Sequence, residues 1–442
     1  MIIVADDLGY GDLGCYGSAD VPTPHIDSIG SDGIRFTSGY VSAPVCSPSR
    51  AAMLTGRYQQ RFGHEHNCGG AARDLKEHLG LPLTEITMPQ TLKGAGYATG
   101  MVGKWHLGMN QEFHPMSRGF DEYFGFLAGA NSYLLKSSRG GLDVDVQEGG
   151  ENMAIVEERR QPVYRGRQPV REEEYITDAF GREASAFIAK NSRKPFFLYL
   201  AFNAVHVPLQ ATQRYVDRFA NIKDERHRML AAMTGALDDN VGKVLASLRS
   251  SGVEKDTLVF FLSDNGSPTY TRAGTNRPLN GGKLTLYEGG CRIPFMARWT
   301  GKIQPKQVVD TPIVSRDLFP TITAAAGAAP SDRKLDGIDL MPYLTGGFKT
   351  GQIHEALFWR NGPNRAMRRG DWKLIVMGEK VRLYNLAEDL GEKRDLASTK
   401  PETVGEMKSA LAKWESELVA PKWSSRQSVP IPINGETNEW TV

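Results

Sequence analysis

Three short apolar runs, each followed at once by polar residues, limit the fold of this chain more than any other feature. The runs IIVA, PFFLYLAFNAV and TLVFFL are followed within two residues by Asp6, His206 and Asp264. Continuous apolar runs are typical of strands buried on both faces of a parallel sheet. Helical patterns lie between them, at residues 178–190 and 227–252. This alternation predicts an α/β sandwich with a large mixed, mostly parallel sheet.

Ligands of such sheets bind at the carboxyl ends of the strands. The three polar clusters are therefore expected to form three walls of one site. A small C-terminal antiparallel sheet and one helix, at about residues 401–418, are expected beyond it. We predict a large domain over 1–345 and a subdomain over 346–442, with an insertion loop at 136–174 lying over the sheet edge.

Composition excludes several classes of protein. A net charge of +2 over 442 residues disfavours nucleic-acid binding. No apolar run approaches the roughly 20 residues that a membrane span needs. The chain has 4 cysteines without CxxC spacing, which argues against a zinc site or a disulfide framework. No signal peptide is visible, so we interpret the sequence as a trimmed or mature chain and expect a periplasmic or secreted location.

Two polar pairs at strand ends are candidates for a cation site. Asp6 and Asp7 follow the first run, and Asp264 and Asn265 follow the third. Together they offer oxygen ligands suited to Ca²⁺ or Mg²⁺ rather than zinc. The alternative is that DD and DNG merely form a turn and a helix cap.

Four basic side chains are weaker candidates. Lys104 and His106 are two residues apart and would share one face of an extended segment, with Trp105 packed behind them. His206 follows a buried strand, where a lone histidine is more often structural. Lys283 stands in a glycine-rich stretch that allows close backbone approach, but a lysine is usually a solvated charge.

Cys46 lies at the predicted start of a helix. Ser47 is a plausible N-cap, Pro48 suits the first turn, and Arg50 follows one turn later. A helix N-terminus favours an anion, and Arg50 could hold one beside it. A buried apolar cysteine or a plain thiolate nucleophile are the alternatives, although a nucleophile needs a nearby base.

The string CSPSR followed by LTGR resembles the signature C-x-P-S-R-x(4)-T-G of type I, formylglycine-dependent sulfatases. ADDLGYGDLGCYG, TPHIDSI, GIRFTSGYV, GYATGMVGKWHLG, SDNG and GGKLTLYEGGCRIPF also look like successive blocks of that family, from about Ile2 to Phe295. The family belongs to the alkaline-phosphatase-like superfamily, which agrees with the predicted sandwich.

The resemblance implies that Cys46 is oxidised to Cα-formylglycine and that one divalent cation, usually Ca²⁺, is bound beside it. The cation ligands would be Asp6, Asp7, Asp264, Asn265 and the converted Cys46. Arg50 would orient the formylglycine and His106 would hydrogen-bond it. The residues implied to hold the sulfate oxygens are Lys104, His206 and Lys283.

The same resemblance implies a route of hydrolysis. The hydrated aldehyde has two hydroxyls, one to attack sulfur and a second from which His106 removes a proton to expel sulfate. His206, assisted by Lys283, would protonate the leaving alcohol. A serine or an unconverted cysteine lacks the second hydroxyl, which would explain why a cysteine stands at this position.

The resemblance also implies partners: a sulfated carbohydrate as substrate, and a formylglycine-generating or sulfatase-maturing enzyme. Candidate substrate contacts are His64 and His66, the 136–174 insertion, and the stretch FWRNGPNRAMRRG with Trp359, Arg360 and Arg365. For the arginines, a solvated surface is an equally weighted alternative. Two other functions stay open: a phosphate or phosphonate ester hydrolase of the same superfamily, and a catalytically silent binder of sulfated glycans.

Overall fold

The protein is described by a computed structural model. The structure describes residues 1–68, 72–134, 161–329, 332–347, 352–425 and 427–442, together with the backbone of 141–144.

The strands are short and most belong to one sheet. In chain order they are β1 (Ile2–Ala5), β2 (Ile34–Phe36), β3 (Gly39–Tyr40), β4 (Ala98–Lys104), β5 (Glu122–Phe126), β6 (Gly141–Val144), β7 (Val163–Arg165), β8 (Gln168–Val170), β9 (Phe196–Ala201), β10 (Leu209–Thr212), β11 (Val259–Ser263), β12 (Phe295–Arg298), β13 (Gln307–Val309), β14 (Ile313–Val314), β15 (Leu357–Asn361), β16 (Asn364–Arg369), β17 (Trp372–Met377), β18 (Lys380–Asn385), β19 (Ser428–Ile433) and β20 (Glu436–Thr441).

Along the chain, most helices connect one strand of that sheet to the next. They are α1 (Pro24–Ser31), α2 (Cys46–Thr55), α3 (Ala72–Lys76), α4 (Met88–Gly94), α5 (Ile176–Asn191), α6 (Gln213–Val216), α7 (Glu225–Ser250), α8 (Glu288–Cys291), α9 (Leu318–Ala325), α10 (Met341–Gly346) and α11 (Pro401–Glu415). In the described part of the chain, none of these helices has both the length and the apolar character needed to cross a bilayer.

The main sheet has 10 strands in the order β13-β2-β12-β11-β1-β9-β4-β5-β7-β8. Its central strands β11, β1, β9, β4 and β5 run parallel, whereas β12 and the β7–β8 hairpin run antiparallel to their neighbours. The predicted α/β fold with a mixed, mostly parallel sheet is confirmed.

Helices cover both faces of this sheet, which explains the uninterrupted apolar runs. Along β1, Ile3 and Ala5 pack into the core beneath α1, α5 and α7. Ile2 and Val4 pack on the opposite face, beneath α2, α4 and α9. Every side chain of β1 is therefore buried, and alternation with polar residues would place a polar group in one of the two cores.

The C-terminal region contains a second, separate sheet of four antiparallel strands in the order β15-β16-β17-β18. Helix α11 packs on one face of it. The other face is joined to the main domain through a third core, which also takes in the β19–β20 hairpin. The small antiparallel sheet with its helix is confirmed, but the hairpin was not anticipated. The boundary at 345/346 stays a prediction.

The predicted insertion loop at 136–174 differs from what the structure describes of it. Strands β7 and β8 form a hairpin that extends the sheet edge beyond β5, and β6 pairs with β10. Residues 135–140 and 145–160 lie outside the described residues. The predicted C-terminal helix ends at Glu415, three residues before the expected end.

Candidate active site

Helix α2 begins at Cys46, with Val45 as the N-cap in an extended conformation. The prediction that Ser47 caps this helix is wrong. The Ser47 hydroxyl is hydrogen-bonded to Nε2 of His64, 2.6 Å away, and is therefore not available to the first turn. The Ser47 amide instead donates to Oδ1 of Asn67 at 3.0 Å. Cys46 thus occupies the first helical position, with a side-chain acceptor from another segment serving as the cap.

The strand order brings the predicted polar clusters together. Strands β11, β1, β9 and β4 are consecutive neighbours, and their carboxyl ends lead to Asp264, Asp6, His206 and Lys104. The turns after β1 and β11 are tied to each other. The amide of Leu8 donates to the Ser263 hydroxyl at 3.0 Å, and that hydroxyl donates to the Asn265 carbonyl at 2.7 Å.

Four side chains converge closely enough to hold one ion. Ligand atoms of Asp6, Asp7, Cys46 and His206 all lie within 4.8 Å of one another, and all four residues are buried. The Cys46 thiol donates to Oδ1 of Asp6 at 3.6 Å. Asp264 is not a member of this group; its Oδ2 accepts one hydrogen bond from Nε of Arg50 at 2.9 Å and lies 2.8 Å from a terminal nitrogen of the same guanidinium.

The donor set fits a hard divalent cation. The side-chain Oδ1 of Asn265 is buried and has no hydrogen-bond partner among the described residues, while its Nδ2 donates to Asp7 at 2.7 Å. A buried oxygen that lies beside carboxylates and has no hydrogen-bond partner is well suited to coordinate a cation. Burial and then the neighbouring Asp6 carboxylate raise the pKa of Asp264 to about 6. A cation among these groups would relieve that repulsion.

Cationic side chains alternate with the carboxylates. The Lys104 ammonium lies 2.6 Å from Oδ2 of Asp6, and the Lys283 ammonium lies 2.8 Å from Oδ2 of Asp7. Burial alone would raise the pKa of Asp7, but Lys283 and His206 outweigh it and lower that pKa to about 2. Asp7 is therefore ionised at neutral pH. Two pairs of opposite charge, Lys104 with Asp6 and Lys283 with Asp7, lie beside Cys46.

Arg50 is fully buried and joins three parts of the site. It donates through Nε to Asp264 at 2.9 Å and through a terminal nitrogen to the carbonyl of Lys104 at 2.9 Å. Another terminal nitrogen lies 3.8 Å from Asp6. Arg50 thus ties α2 to the ends of β11, β4 and β1, which keeps Cys46 in register with the carboxylates.

The Cys46 thiol is protonated in this setting. Burial raises the pKa of Cys46 far above its ordinary value, against the smaller opposing effects of Lys104 and Lys283. A plain thiolate nucleophile is consequently disfavoured.

His206 and Lys283 form a pair at the edge of the cluster. Nδ1 of His206 donates to the carbonyl of Val207 at 2.6 Å, so Nε2 is the unprotonated nitrogen and faces the Lys283 ammonium at 3.2 Å. Burial and the nearby Lys283 lower the pKa of His206 to about 4, so its ring is neutral at pH 7. Lys283 is the member of the pair that carries the proton.

The sequence predicts that His106 lies on an extended segment together with Lys104, and this prediction is wrong. Strand β4 ends at Lys104, and His106 has a left-handed backbone with φ of 57°. Its amide donates to the Leu127 carbonyl at 3.1 Å, and its ring packs so closely on Gly129 that a Cβ there would approach Nε2 to 2.5 Å. His106 is thus buried against the 127–129 segment. Its predicted role stays a prediction.

The two histidines of the 64–66 segment, predicted to contact substrate, are buried. His64 is completely buried beneath the start of α2, and burial followed by His66 lowers its pKa to about 3. His66 is also buried, with a pKa lowered to about 4 by burial and then Arg360. His64 supports the N-terminus of α2 through the Ser47 hydroxyl, and a role of either histidine in substrate binding stays a prediction.

Of the predicted sugar contacts in the small sheet, stacking on Trp359 does not fit the structure, whereas the contacts of Arg360 and Arg365 stay predictions. Trp359 is only 1% exposed, its indole N–H donates to the Val41 carbonyl at 2.7 Å, and its ring packs beside Tyr40. Arg360 forms a two-pronged ion pair with Glu65. Arg365 donates to Glu415 at 2.7 Å. No face of Trp359 is available for stacking, and both guanidinium groups already have carboxylate partners.

Sequence reasoning missed three residues that shape the site. The Tyr133 hydroxyl lies between the carbonyls of Asn203 and His206 and supports the His206 turn. Asn203 is buried between backbone bonds to β1, and neither polar atom of its amide has a partner among the described residues. Asn67 caps α2. Asn203, three residues before His206, and Asn67, directly after His66, stand close to residues that the sequence singles out; Tyr133 does not.

Comparison with known proteins gives consistent results. A family model described as Sulfatase matches residues 1–328. The N-acetylgalactosamine-6-sulfatase of Sus scrofa is 36% identical over 385 residues, covering 84% of this chain and 70% of that protein. Human arylsulfatase A is 33% identical over 452 residues, which cover 92% of this chain and 86% of arylsulfatase A.

Solved structures extend the comparison. Ps i-CgsB in complex with k-i-k-neocarrahexaose is similar with a TM-score of 0.86 and 33% identity, covering 96% of this chain and 93% of that one. The phosphonate monoester hydrolase SpPMH from Silicibacter pomeroyi shares the fold alone, with a TM-score of 0.68 and 17% identity.

Proposed function

The chain belongs to the sulfatase family, a family of sulfate ester hydrolases, and on that premise we propose that it removes sulfate from a sulfated carbohydrate with a nucleophile formed from Cys46. One observation carries the proposal. Cys46 stands at the first position of a buried helix, 3.6 Å from Asp6, with the Lys104 and Lys283 ammonium groups on the adjoining carboxylates. A neutral buried thiol is a poor nucleophile. The formylglycine formed from it would carry, once hydrated, a hydroxyl that can attack sulfur.

Two groups complete the site in this proposal. Asp6, Asp7, Asp264 and Asn265, together with the converted residue 46, would hold one divalent cation; their oxygen ligands suit Ca²⁺, which we propose, and also Mg²⁺. When bound, the cation and the formylglycine at position 46 supply positive charge for the sulfuryl oxygens and a hydroxyl nucleophile for sulfur.

The chain's own basic residues bind and orient the ester. Lys104 and Lys283 are buried ammonium groups, and each would move from a carboxylate oxygen to share a proton with a sulfuryl oxygen. Arg50 makes no such move, because its bonds to Asp264 and the Lys104 carbonyl define the position of α2. Lys104 and Lys283 therefore bind substrate, and Arg50 orients the nucleophile.

The leaving alkoxide requires a proton, since a sugar alkoxide is a poor leaving group. The ammonium of Lys283 faces Nε2 of His206 at 3.2 Å, so the pair can deliver one proton to an oxygen placed between them. His106 is assigned to the opposite proton transfer, from the second hydroxyl on residue 46.

Substrate class rests on the relatives. Ps i-CgsB was solved with a neocarrahexaose, and other relatives are named for N-acetylgalactosamine 6-sulfate. We infer a sulfated oligosaccharide or polysaccharide of this kind as the natural substrate. Conversion of Cys46 needs a formylglycine-generating or sulfatase-maturing enzyme in the host. A periplasmic or secreted location, where polymeric sulfated glycans are met, suits this substrate.

The test compares substrates on one preparation whose Cys46 peptide has been weighed by mass spectrometry. With the peptide in the aldehyde form, 4-nitrophenyl sulfate and neocarrahexaose should be desulfated, and 4-nitrophenyl phosphate should react at least about 100-fold more slowly, a difference of about 2.7 kcal/mol in barrier. Chelation should abolish turnover and Ca²⁺ should restore it. Faster phosphate turnover would favour the phosphate or phosphonate hydrolase, and binding of neocarrahexaose without turnover would favour the silent glycan binder.

A further inference from the structure

The turn that carries Lys283 has an unusual backbone. Leu284, the next residue, has φ of 78°, a left-handed conformation that L-residues with a bulky side chain rarely adopt. The Thr285 amide donates to the Gly282 carbonyl at 3.0 Å, which closes the turn around Lys283 and Leu284. Such a conformation persists only where the surroundings hold it.

Both backbone groups of Leu284 are held by residues far away in sequence. Its amide donates to the Pro44 carbonyl at 2.8 Å, two residues before Cys46. Its carbonyl accepts from Nδ2 of Asn361 at 2.9 Å. The turn is thus tied on one side to the segment leading into α2 and on the other side to the small C-terminal sheet.

The Asn361 amide can hold only one orientation. It lies at the end of β15 and is 1% exposed. Its second N–H donates to the Thr441 carbonyl at 3.1 Å, and its Oδ1 accepts from the Thr441 hydroxyl at 2.7 Å. Every donor of the amide is used, so the bond to Leu284 is fixed in place by strand β20.

We propose that Asn361 is a positioning residue for Lys283, through which the C-terminal region sets the geometry of leaving-group protonation. The proposal rests on the proposed function of Lys283. Loss of the Asn361 donor leaves the Leu284 carbonyl unpaired inside the protein and removes one of the two hydrogen bonds that tie the Leu284 backbone to distant segments. Lys283 then no longer keeps its place between Asp7 and His206.

The chain provides a matched control in the same hairpin. Asn364 is paired with Asn361 across β15 and β16, is buried to a similar extent, and donates through Nδ2 to the Glu439 carbonyl of β20 at 2.9 Å. It makes no contact with the Lys283 turn among its hydrogen bonds. Asn364→Ala therefore reproduces the loss of a buried amide bond to β20 without loosening that turn.

The first measurement does not depend on activity. Crystal structures of the parent protein, Asn361→Ala and Asn364→Ala are compared under one condition. We expect Lys283 to move away from Asp7 in Asn361→Ala and to keep its place, 2.8 Å from Asp7, in Asn364→Ala. A Lys283 turn that superposes in all three structures overturns the proposal.

The second measurement uses leaving groups of different basicity. Because Lys283 assists protonation of the leaving oxygen, Asn361→Ala should lower kcat little with 4-nitrophenyl sulfate and about tenfold with phenyl sulfate, the effect of about one lost hydrogen bond. In a Lys283→Ala background, Asn361→Ala should add nothing further. An equal loss with both esters, or additive losses in the double variant, overturns the proposal.

Two further outcomes keep the inference separate from the proposed function. If the parent protein hydrolyses no sulfate ester, the proposed function fails, and the crystal comparison still decides whether Asn361 places Lys283. If Asn361→Ala does not fold, Thr441→Val removes only the hydroxyl that orients the amide. It should show the same displacement and the same dependence on leaving group, each reduced. An unchanged Lys283 in that variant overturns the proposal.

Discussion

Two of the buried groups of charged side chains among the described residues make an instructive comparison, and one of the two is the candidate site. The first, which we call the strand-end cluster, lies at the carboxyl ends of the main sheet and consists of Asp6, Asp7, Arg50, Lys104, Asp264 and Lys283. The second, which we call the Glu288 cluster, lies between the main domain and the small sheet and consists of Tyr40, Glu288, Arg292, Arg368 and Lys373.

In the Glu288 cluster, one carboxylate meets cations and a phenol from both regions. Oε1 of Glu288 accepts from the Lys373 ammonium at 2.7 Å, and Oε2 accepts from the Tyr40 hydroxyl at 2.5 Å and from Arg292 at 3.3 Å. Burial alone would raise the pKa of Glu288, but Lys373 and Arg292 outweigh it and lower that pKa to about 2. Both oxygens of the Glu288 carboxylate therefore have partners within the protein.

The strand-end cluster crowds three carboxylates around a thiol instead. Burial, and then the neighbouring Asp6 carboxylate, raise the pKa of Asp264 to about 6. In addition, Oδ1 of Asn265 has no hydrogen-bond partner among the described residues. Burial and ion pairing are common to both clusters and do not distinguish function. The distinguishing feature is convergence: among the described residues, ligand atoms of Asp6, Asp7, Cys46 and His206 come within 4.8 Å of one another in the strand-end cluster, as a cation site requires.

Replacement of the thiol should have the largest effect. Cys46→Ser keeps a small polar atom at the first position of α2 and should fold like the parent protein. It has no oxidisable sulfur, so turnover of 4-nitrophenyl sulfate should fall by at least about 1,000-fold, that is about 4 kcal/mol in barrier. Steady-state kinetics together with thermal unfolding measure the two quantities.

The control is Cys15→Ser, a half-buried cysteine whose sulfur lies 3.8 Å from the Met296 sulfur, away from the site. It should keep full activity per folded molecule. If Cys46→Ser retains activity near that of the parent protein, the strand-end cluster works without an oxidised residue and its contrast with the Glu288 cluster loses its chemical basis.

Breaking the Glu288 cluster should act on stability alone. Lys373→Met leaves the buried Glu288 carboxylate without its strongest partner, and removal of one member of a buried ion pair costs about 3–5 kcal/mol. We expect the free energy of unfolding in urea to fall by that amount. The kcat of the folded fraction should stay unchanged, because no member of this cluster touches the reacting groups.

A useful comparison is Lys380→Met in the same sheet, whose ion pair with Glu436 is about half exposed. It should lose less than about 1 kcal/mol. If Lys373→Met lowers kcat as strongly as it lowers stability, the two clusters are not functionally separate.

The main-sheet strands and the strand-end cluster could be predicted from the sequence, for a physical reason. Strands buried on both faces produce unbroken apolar runs, and the polar residues after them must share one sheet edge. Asp6, His206 and Asp264 could therefore be brought together without a structure. The contacts of Arg50 with Asp264 and with the Lys104 carbonyl could not, because they depend on the packing of α2 against three strand ends.

The error in the small sheet has a different origin. In β15, Leu357, Trp359 and Asn361 alternate with less buried residues and face the main domain. This period-two pattern could have placed Trp359 inside. The partners of the arginines could not be predicted. Glu65 and Glu415 lie 295 and 50 residues away from Arg360 and Arg365, and nothing local indicates either pairing.

A smaller effect is expected at Glu392, which borders the Glu288 cluster. Burial and then Glu288 raise its pKa to about 8, against the opposing effect of Lys373. Its Oε2 accepts from the Glu288 amide at 2.7 Å, and its Oε1 has no partner among the described residues. The folded protein therefore holds a proton here that the unfolded chain releases near its ordinary pKa of 4.5.

The sign follows by linkage. Between pH 4.5 and pH 8 the folded state binds more protons at Glu392, so stability is full below that window and falls as pH rises through it. Glu392→Gln does not titrate. Relative to the parent protein it should gain stability progressively as pH rises through the window. Urea unfolding at several pH values measures the difference, with the exposed Glu388→Gln as control. A constant difference between parent and variant contradicts the shift.

The smallest effect is expected at Arg365, where a role in sugar binding was first considered. Arg365 and Glu415 form a partly exposed ion pair, with side chains 26% and 27% exposed, and such pairs contribute less than about 1 kcal/mol. Arg365→Ala and Glu415→Ala should therefore lower stability slightly and equally. Neither should change the ratio of kcat/KM on neocarrahexaose to kcat/KM on 4-nitrophenyl sulfate by more than about twofold, about 0.4 kcal/mol. A loss confined to the oligosaccharide and to Arg365→Ala would return this guanidinium to the substrate site, and the small sheet would then contact substrate as well as support the reacting cluster.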